Sequence, residues 1–379
     1  MPTPTKLAIV GTGNIGQQHI QQITSGAVSN AVVTAVVSRN KPAELSSYQH
    51  YTSIEQLLAA DVCDAVLVAT PTYHHLEAGL AILATGKHLL MEKPLGLSTA
   101  EAQQLIDATG EQQFAVMLNQ RMNPVFGQMK RIIDSGQLGA IQRTHWTMTN
   151  WFRPEIYFAV SDWRATWRGE GGGLLLNQCI HNLDVFQWLC GMPSKVLAQC
   201  QFGQFHNIEV EDQATAYFEY PNGATGVFVG STGEAPGINR LDIVGDLGTL
   251  NFDDGVLSLA LNSPGTAEYC KQTNDMFGQP SSTVSHPAPP EACNQHALIL
   301  QNFIDAIQHG TPLITPAEEG LHSLALANAI LLSSWQNTAV NLPLDNQQYQ
   351  TALDAKIAQS SLRQKQNRQA NIDMNQSFR

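Results

Sequence analysis

The chain has no apolar run near the roughly 20 residues that a membrane-spanning helix takes, so no spanning segment is expected. Its opening residues, Met-Pro-Thr-Pro-Thr-Lys, lack the basic-then-apolar order of a secretory signal. The 6 cysteines (63, 179, 190, 200, 270 and 293) are scattered, with no CxxC pair. That spacing argues against a disulfide framework and a zinc site, and it fits a reducing cytoplasm. No His/Cys/Asp/Glu group has metal-ligand spacing, so no metal is expected. Positive charge is scarce: 20 Lys and Arg face 32 Asp and Glu, for a net charge of −12. Nucleic acid and anionic membranes are therefore disfavoured as partners. Small anions stay open, because a few local Arg and Lys can still form a site. Internal repeats are absent too.

What the chain does have is length and alternation. Its 379 residues suffice for about two domains with sizeable cores. Residues 6–10 read as a short buried strand. Gly11-Thr12-Gly13-Asn14-Ile15-Gly16 follows at once, then a helical run over 17–24 and a second buried strand over 32–37. Glycines in this setting allow a tight turn, close approach of a pyrophosphate and close helix–strand packing, with the phosphate at the helix N-terminus. A dinucleotide site is expected there. Helices over 54–60, 75–85 and 99–109 alternate with strands over 65–69, 87–91 and 114–118. This predicts an α/β fold with a doubly wound parallel sheet, whose ligands sit at the C-terminal strand ends. The strand-end loops add Thr70, Pro71, His75, Glu92 and Lys93 to the expected cofactor contacts. The second strand ends in Ser38-Arg39-Asn40, with no acid until Glu44. A hydroxyl and a guanidinium suit a ribose 2′-phosphate better than a diol, so NADP(H) is favoured over NAD(H).

After about residue 124 the texture changes. A helix over 125–135 precedes strand-like runs at 141–151, 195–202, 213–220, 224–231, 239–244, 248–252 and 256–261. A mostly antiparallel sheet is expected there, in a second domain over 125–379 beside a first over 1–124. Residues 263–293 read as a long loop, 296–308 and 317–334 as helices. The Gln-rich tail from 345 reads as a surface helix or as a segment docked on a partner subunit. Within this half, Gly171-Gly172-Gly173 opens a run of helix formers that Gly191 and Pro193 stop. Asn177 and His181, four apart, are expected on one helix face. Asp184 is expected to be structural. Upstream, Arg153, Tyr157, Trp163 and Arg164 are candidate sugar or carboxylate binders, although Trp151, Trp163 and Trp167 would equally serve to pack the sheet. Arg121, expected to close the last parallel strand, is a further substrate candidate. Lys93, in Met91-Glu92-Lys93-Pro94, follows a buried strand and precedes a proline that restricts it, so it can donate to a substrate oxygen.

Taken together, GTGNIG, ATPTYHH (69–75), GKHLLMEKP (86–94), the WR at 163–164 followed by GEGGGLLLNQCIHNLD, and the late ITPAEEGLHSLALANAI and NLPL resemble the Gfo/Idh/MocA oxidoreductase family over nearly the whole chain. The resemblance implies a Rossmann domain followed by a large open-sheet domain, and NAD(P)-dependent oxidation of a sugar or cyclitol hydroxyl. It places the catalytic lysine at Lys93 and the catalytic histidine at His181, and it assigns His75 to shaping the cofactor loop. The family often has Asp where this chain has Asn177. In the mechanism expected, His181 accepts the hydroxyl proton and Lys93 stabilises the alkoxide, with Lys93 as the alternative proton acceptor, and Asn177 orients one of them. A homo-oligomer, dimer or tetramer, is expected through the second domain's sheet. Two rival functions share the fold: a glycosidase acting by transient oxidation, and a non-catalytic cofactor-binding regulator.

Overall fold

The structure is a computed structural model that describes residues 3–40, 42–288, 291–364 and 371. The chain divides into two compact units. The first takes Met1–Met122, Arg168–Gly171 and Asn294–Ala325; the second takes Asn123–Trp167, Gly172–Cys293 and Leu326–Arg379.

The first unit opens with β1 (Thr5–Val10), α1 (Asn14–Thr24), β2 (Ala31–Val37), β3 (Gln49–Tyr51), α2 (Ile54–Ala60), β4 (Ala65–Val68), α3 (His75–Leu83), β5 (His88–Met91), α4 (Thr99–Asp107) and β6 (Phe114–Val116). All six strands pair in parallel in the order β3-β2-β1-β4-β5-β6. The order reverses between β1 and β4, which makes that point the sheet's ligand-binding crevice. Leu7, Ala8 and Ile9 of β1 are fully buried, as a parallel strand covered on both faces requires. Side chains set the helix starts: Ser53 accepts from Gln56 N–H before α2, and Ser98 from Glu101 N–H before α4. The three-residue β3 had no apolar signature to betray it. β6 stops at Val116, short of the expected 118, so Arg121 lies in a separate 3-10 turn, Asn119–Met122.

The chain continues through α5 (Pro124–Asp134), β7 (Ile141–Met148), α6 (Glu155–Ala159), α7 (Trp167–Glu170), α8 (Ile180–Cys190), β8 (Lys195–Phe202), β9 (Glu211–Glu219), β10 (Thr225–Ser231), β11 (Asn239–Gly245), β12 (Gly248–Asp253), β13 (Val256–Ser263), α9 (Thr266–Gln272), β14 (Ser281–Ser285), α10 (Gln295–His309), α11 (Ala317–Gln336), β15 (Val340–Asn341) and α12 (Asn346–Gln359). The second unit's sheet has nine strands in the order β14-β13-β12-β11-β7-β10-β9-β8-β15, antiparallel except for β7–β10. Its buried face carries an aromatic core. Phe186 of α8 lies 6.2 Å from Trp146, 5.6 Å from Phe218 and 6.4 Å from Phe228, ring centre to ring centre.

Two expectations about this half are corrected. Residues 263–293 are not one long loop, because they contain α9 and the edge strand β14. The polar composition hid both: β14 is Ser-Ser-Thr-Val-Ser and exposed along its whole length. The helix after the glycine run also starts later than expected, at Ile180, and residues 174–179 form turns instead. Cys179 N–H donates to Leu174 O across a wide turn (2.7 Å). The tail becomes α12, which docks on its own unit: Tyr349 and Leu353 are fully buried, and the Tyr349 ring stacks on Trp335 at 5.6 Å.

In the first unit, α10 returns to the parallel sheet. Ile299, Leu300, Phe303 and Ile304 pack with Leu7, Ile9, Val36 and Leu67 in one buried cluster.

Candidate active site

The dinucleotide loop is built by the absence of side chains. Gly11 has φ +94, and a Cβ there would sit 2.5 Å from Ala69 O, where β4 ends. A Cβ on Gly16 would lie 2.0 Å from Gly11 O. These two glycines are required for the turn to close. Gly13 is different: a Cβ there would meet nothing within 4 Å. The space beside it is open, which is what close approach of a pyrophosphate needs. α1 begins one residue later and has no acidic residue in its first turn, so nothing there neutralises the positive end of its dipole. Gln17 Nε2 donates to Thr12 O (3.1 Å) and fixes the loop from the helix side. The residues present fit a dinucleotide.

At the end of β2, Ser38 Oγ donates to Asn40 O (2.8 Å), and His50 Nε2 donates to Ser38 O (2.9 Å). Arg39 is exposed. Burial pushes the His74 imidazole down, Glu77 opposes this, and the Arg39 charge adds to it, so Arg39 and His74 share one electrostatic neighbourhood. His75 is buried, with Nδ1 2.8 Å from Pro94 O and Nε2 3.0 Å from Thr70 O. It ties the Thr70-Pro71 loop to the loop after β5.

That second loop carries Glu92 and Lys93. Lys93 is half-buried and its main-chain N–H faces Glu92 Oε2 at 3.3 Å. Glu92 Oε1 lies 2.7 Å from His19 Nε2. Arg121 is buried, and its Nη2 donates to Glu319 Oε2 at 2.7 Å. The His322 and Arg121 side chains hold the Glu319 carboxyl down to about 2. A substrate role for Arg121 would have to compete with this ion pair.

In the second unit, polar side chains gather on the Tyr157 hydroxyl. Arg164 Nη1 donates to it at 2.7 Å and Gln178 Nε2 at 3.2 Å, while the hydroxyl donates to Asn177 Oδ1 at 3.4 Å. The guanidinium of Arg153 lies 5.3 Å from the Tyr157 ring and 5.1 Å from Trp151. That of Arg164 lies 4.6 Å from both Tyr157 and Trp163. Four of the expected residues (Arg153, Tyr157, Trp163 and Arg164) thus form one cluster, and Asn177 joins it. Asn177 does so from a turn, with its N–H on Gly173 O (2.9 Å), so the expectation that it shares a helix face with His181 does not hold. His181 is the second residue of α8 and is buried. Trp151 and Trp167 are buried packing residues, and Trp151 Nε1 donates to Asn182 Oδ1 at 3.1 Å. Asp184 is fully buried and accepts from Gln187 Nε2 (3.1 Å), the structural place expected of it.

Several residues escaped the sequence reading. Glu211, fully buried on β9, accepts from both Gly173 N–H and Leu175 N–H at 2.9 Å and so holds the glycine run. A Cβ on Gly173 would lie 2.4 Å from Glu211 O. Nothing local in the sequence links 173 to 211. His19 did leave a signal: it lies on the buried face of α1 with Gly16, Ile20 and Ile23, where an apolar residue is the rule. His296, on α10, comes from the far end of the chain.

Among the described residues no helix is long and apolar enough to cross a membrane, and no group of three or more His, Cys, Asp or Glu could hold a metal ion.

Comparison with known proteins agrees with this geometry. Residues 5–120 match a family model described as an oxidoreductase family with NAD-binding Rossmann fold, and residues 126–251 match one described as the GFO/IDH/MocA C-terminal domain. Myo-inositol 2-dehydrogenase of Thermotoga maritima is 23% identical over 354 residues, covering 89% of this chain and 98% of that one. Among solved structures, the WlbA dehydrogenase from Bordetella pertussis, in complex with NADH and UDP-GlcNAcA, superposes with a TM-score of 0.74 at 24% identity, covering 90% of this chain and 100% of that one. A putative NADPH-dependent oxidoreductase from Desulfitobacterium hafniense gives 0.75 at 17% identity, covering 94% and 100%. At these identities the two structures speak for the fold. The matched models, with the dinucleotide loop they cover, place the chain in the Gfo/Idh/MocA family of NAD-binding oxidoreductases.

Proposed function

We propose that the chain moves a hydride between a nicotinamide dinucleotide, NADP(H) in preference to NAD(H), and a secondary hydroxyl or ketone of a sugar, sugar derivative or cyclitol. The observation that carries this reading is the open space beside Gly13 at the acid-free N-terminus of α1, with Lys93 at the end of β5 in the same unit. The inositol in the name of one relative, and the UDP-GlcNAcA held in complex by another dehydrogenase of the same fold, support the substrate class. When bound, the nicotinamide supplies the hydride acceptor or donor. His181 takes the hydroxyl proton, and Lys93 donates to the oxygen as negative charge develops on it. Arg153, Tyr157, Trp163 and Arg164 bind substrate hydroxyls or a carboxylate, and Asn177 orients the Tyr157 hydroxyl among them. Ser38 and Arg39 select the 2′-phosphate. The first unit then serves the cofactor, and the second serves the substrate and assembly.

A homo-oligomer through the second unit's sheet belongs to the same proposal. Leu197 and Tyr217 pair across β8 and β9 on the outer face and are 46% and 40% exposed. Cysteine spacing supports the cytoplasm as its compartment.

The test is a panel of inositols, hexoses, hexuronates and glucosides offered with NAD⁺ and NADP⁺, followed by nicotinamide absorbance. Reduction of NADP⁺ by at least one member is expected. No reduction with either cofactor across the panel would sink the reading, and aglycone release without net cofactor reduction would replace it with the glycosidase.

A further inference from the structure

Behind Lys93 lies a closed group of ionisable side chains that the proposed reaction does not use. His19 from α1, Glu92 from the loop after β5 and His296 from α10 are 0%, 8% and 7% exposed. His19 Nε2 meets Glu92 Oε1 at 2.7 Å, and the His19 and His296 rings lie 5.9 Å apart. The other carboxylate oxygen of Glu92 faces the main-chain N–H of Lys93 at 3.3 Å. The charges that act on Glu92 are those of His19, His296 and Lys93, and those that act on His296 are Glu92, His19 and Lys93.

Burial alone would raise the Glu92 carboxyl. The hydrogen bond from His19, then the charges of His19, His296 and Lys93, hold it down to about 2 instead. Burial pushes the His296 imidazole down to about 4, with Glu92 opposing and His19 and Lys93 adding to the push. At neutral pH the group therefore contains a carboxylate that stays ionised and an imidazole, His296, that stays neutral. A buried ion pair is weak ground for stability, since apolar packing of the same volume does as well or better. What the carboxylate adds is a fixed negative charge one residue from Lys93, anchored to the helix whose N-terminus faces the cofactor.

We propose that Glu92, clamped by His19 and enclosed by His296, is the positioning residue for Lys93: it holds the Lys93 main chain and stations a negative charge beside the ammonium. The inference rests on the reading of Lys93 as the donor to the substrate oxygen, and it deepens that reading. Because His19 stands three residues after Gly16, the helix that receives the pyrophosphate and the loop that presents Lys93 are joined through one carboxylate.

The experiment reads Lys93 directly. The full-length protein is reductively methylated with ¹³C-formaldehyde, and the Lys93 signal is assigned by its loss in Lys93→Arg. Its titration is followed without substrate. Glu92→Gln keeps the shape and an acceptor oxygen but removes the charge, so the Lys93 midpoint should fall by about one pH unit, a tenfold change in the protonation equilibrium. Glu92→Asp keeps the charge but withdraws it by one methylene, and should lower the midpoint by less, about 0.3 pH unit. It is the deciding arm if Glu92→Gln fails to fold. In the active enzyme the limb of kcat/KM that belongs to Lys93 should move with the midpoint. A Lys93 midpoint that is unmoved or raised in the folded variants would overturn the proposal. Since this titration needs no turnover, it can fail while Lys93→Ala still abolishes activity, and the reverse also holds.

Discussion

The dinucleotide loop of the first unit and the polar cluster of the second are built in opposite ways. The loop works through what is missing: two glycines fit because any Cβ would strike a backbone carbonyl, and a third leaves room for a ligand. The cluster works through long side chains, with Arg164, Gln178 and Asn177 all meeting one tyrosine hydroxyl. A backbone-made site offers little to vary and serves a cofactor shared by many enzymes. A side-chain-made site can be retuned by single substitutions, which suits the part that chooses the substrate. The difference predicts all-or-none effects in the loop and graded ones in the cluster.

The largest effect should come from the long side chain that breaks this pattern on the first unit's side. Lys93→Ala is expected to cut turnover by about a hundredfold or more while cofactor binding stays measurable by nicotinamide fluorescence. Near-normal turnover would remove Lys93 from the chemistry. Next, the glycines should separate. Gly16→Ala forces a Cβ against Gly11 O, so both the melting temperature and cofactor binding should collapse. Gly13→Ala should keep the wild-type melting temperature within about 2 °C yet weaken cofactor binding about tenfold or more. Equal destabilisation by both would mean that Gly13 also serves the turn and not the ligand.

Smaller effects concern side chains at the edges. Arg39→Ala should weaken NADP(H) by about tenfold with NAD(H) little changed, as read from Kd for each. Equal losses for both would refute the 2′-phosphate argument. Asn177→Asp is nearly isosteric and adds a charge. If that charge reaches His181, it favours the imidazolium, and the acid limb of kcat/KM moves to higher pH by about one pH unit. If Asn177 acts only through the Tyr157 hydroxyl, KM changes and the limb stays. The 3.4 Å contact with Tyr157 makes the second outcome a real competitor.

What was legible in the sequence follows the same division. The βαβ opening, the parallel alternation and the strand-end loops were readable because each rests on local periodicity and local glycine chemistry. The run 195–202 was read to the residue as β8. The start of α8 was misjudged because helix formers at 174–179 signal helix, while Glu211, from β9, takes the N–H groups of Gly173 and Leu175 and holds the segment in turns. β14 was missed because an exposed edge strand needs no apolar pattern. In the site, Arg153, Tyr157, Trp163 and Arg164 stand out as candidate binders by the chemistry of rings and guanidinium groups, but nothing in the sequence marks the Tyr157 hydroxyl as the point where Arg164, Gln178 and Asn177 meet. His19–Glu92 joins α1 to a loop far along the chain, and no spacing rule spans that distance.

The return of α10 to the parallel sheet also bears on how this protein is made. Ile299, Leu300, Phe303 and Ile304 fill the core around Leu7, Ile9 and Val36. The ribosome must add 171 residues (294 − 122 − 1) between Met122 and Asn294 before that helix can begin to form. At ~5–20 residues per second this takes on the order of 10–30 s. During that time the nascent sheet carries an uncovered apolar face, the kind of surface that chaperones bind and that drives aggregation. A fragment ending at Met122 should therefore be poorly soluble, and supplying residues 294–325 should rescue it. The dinucleotide loop is synthesised well before α10, yet the core that supports it is complete only once that helix has been made.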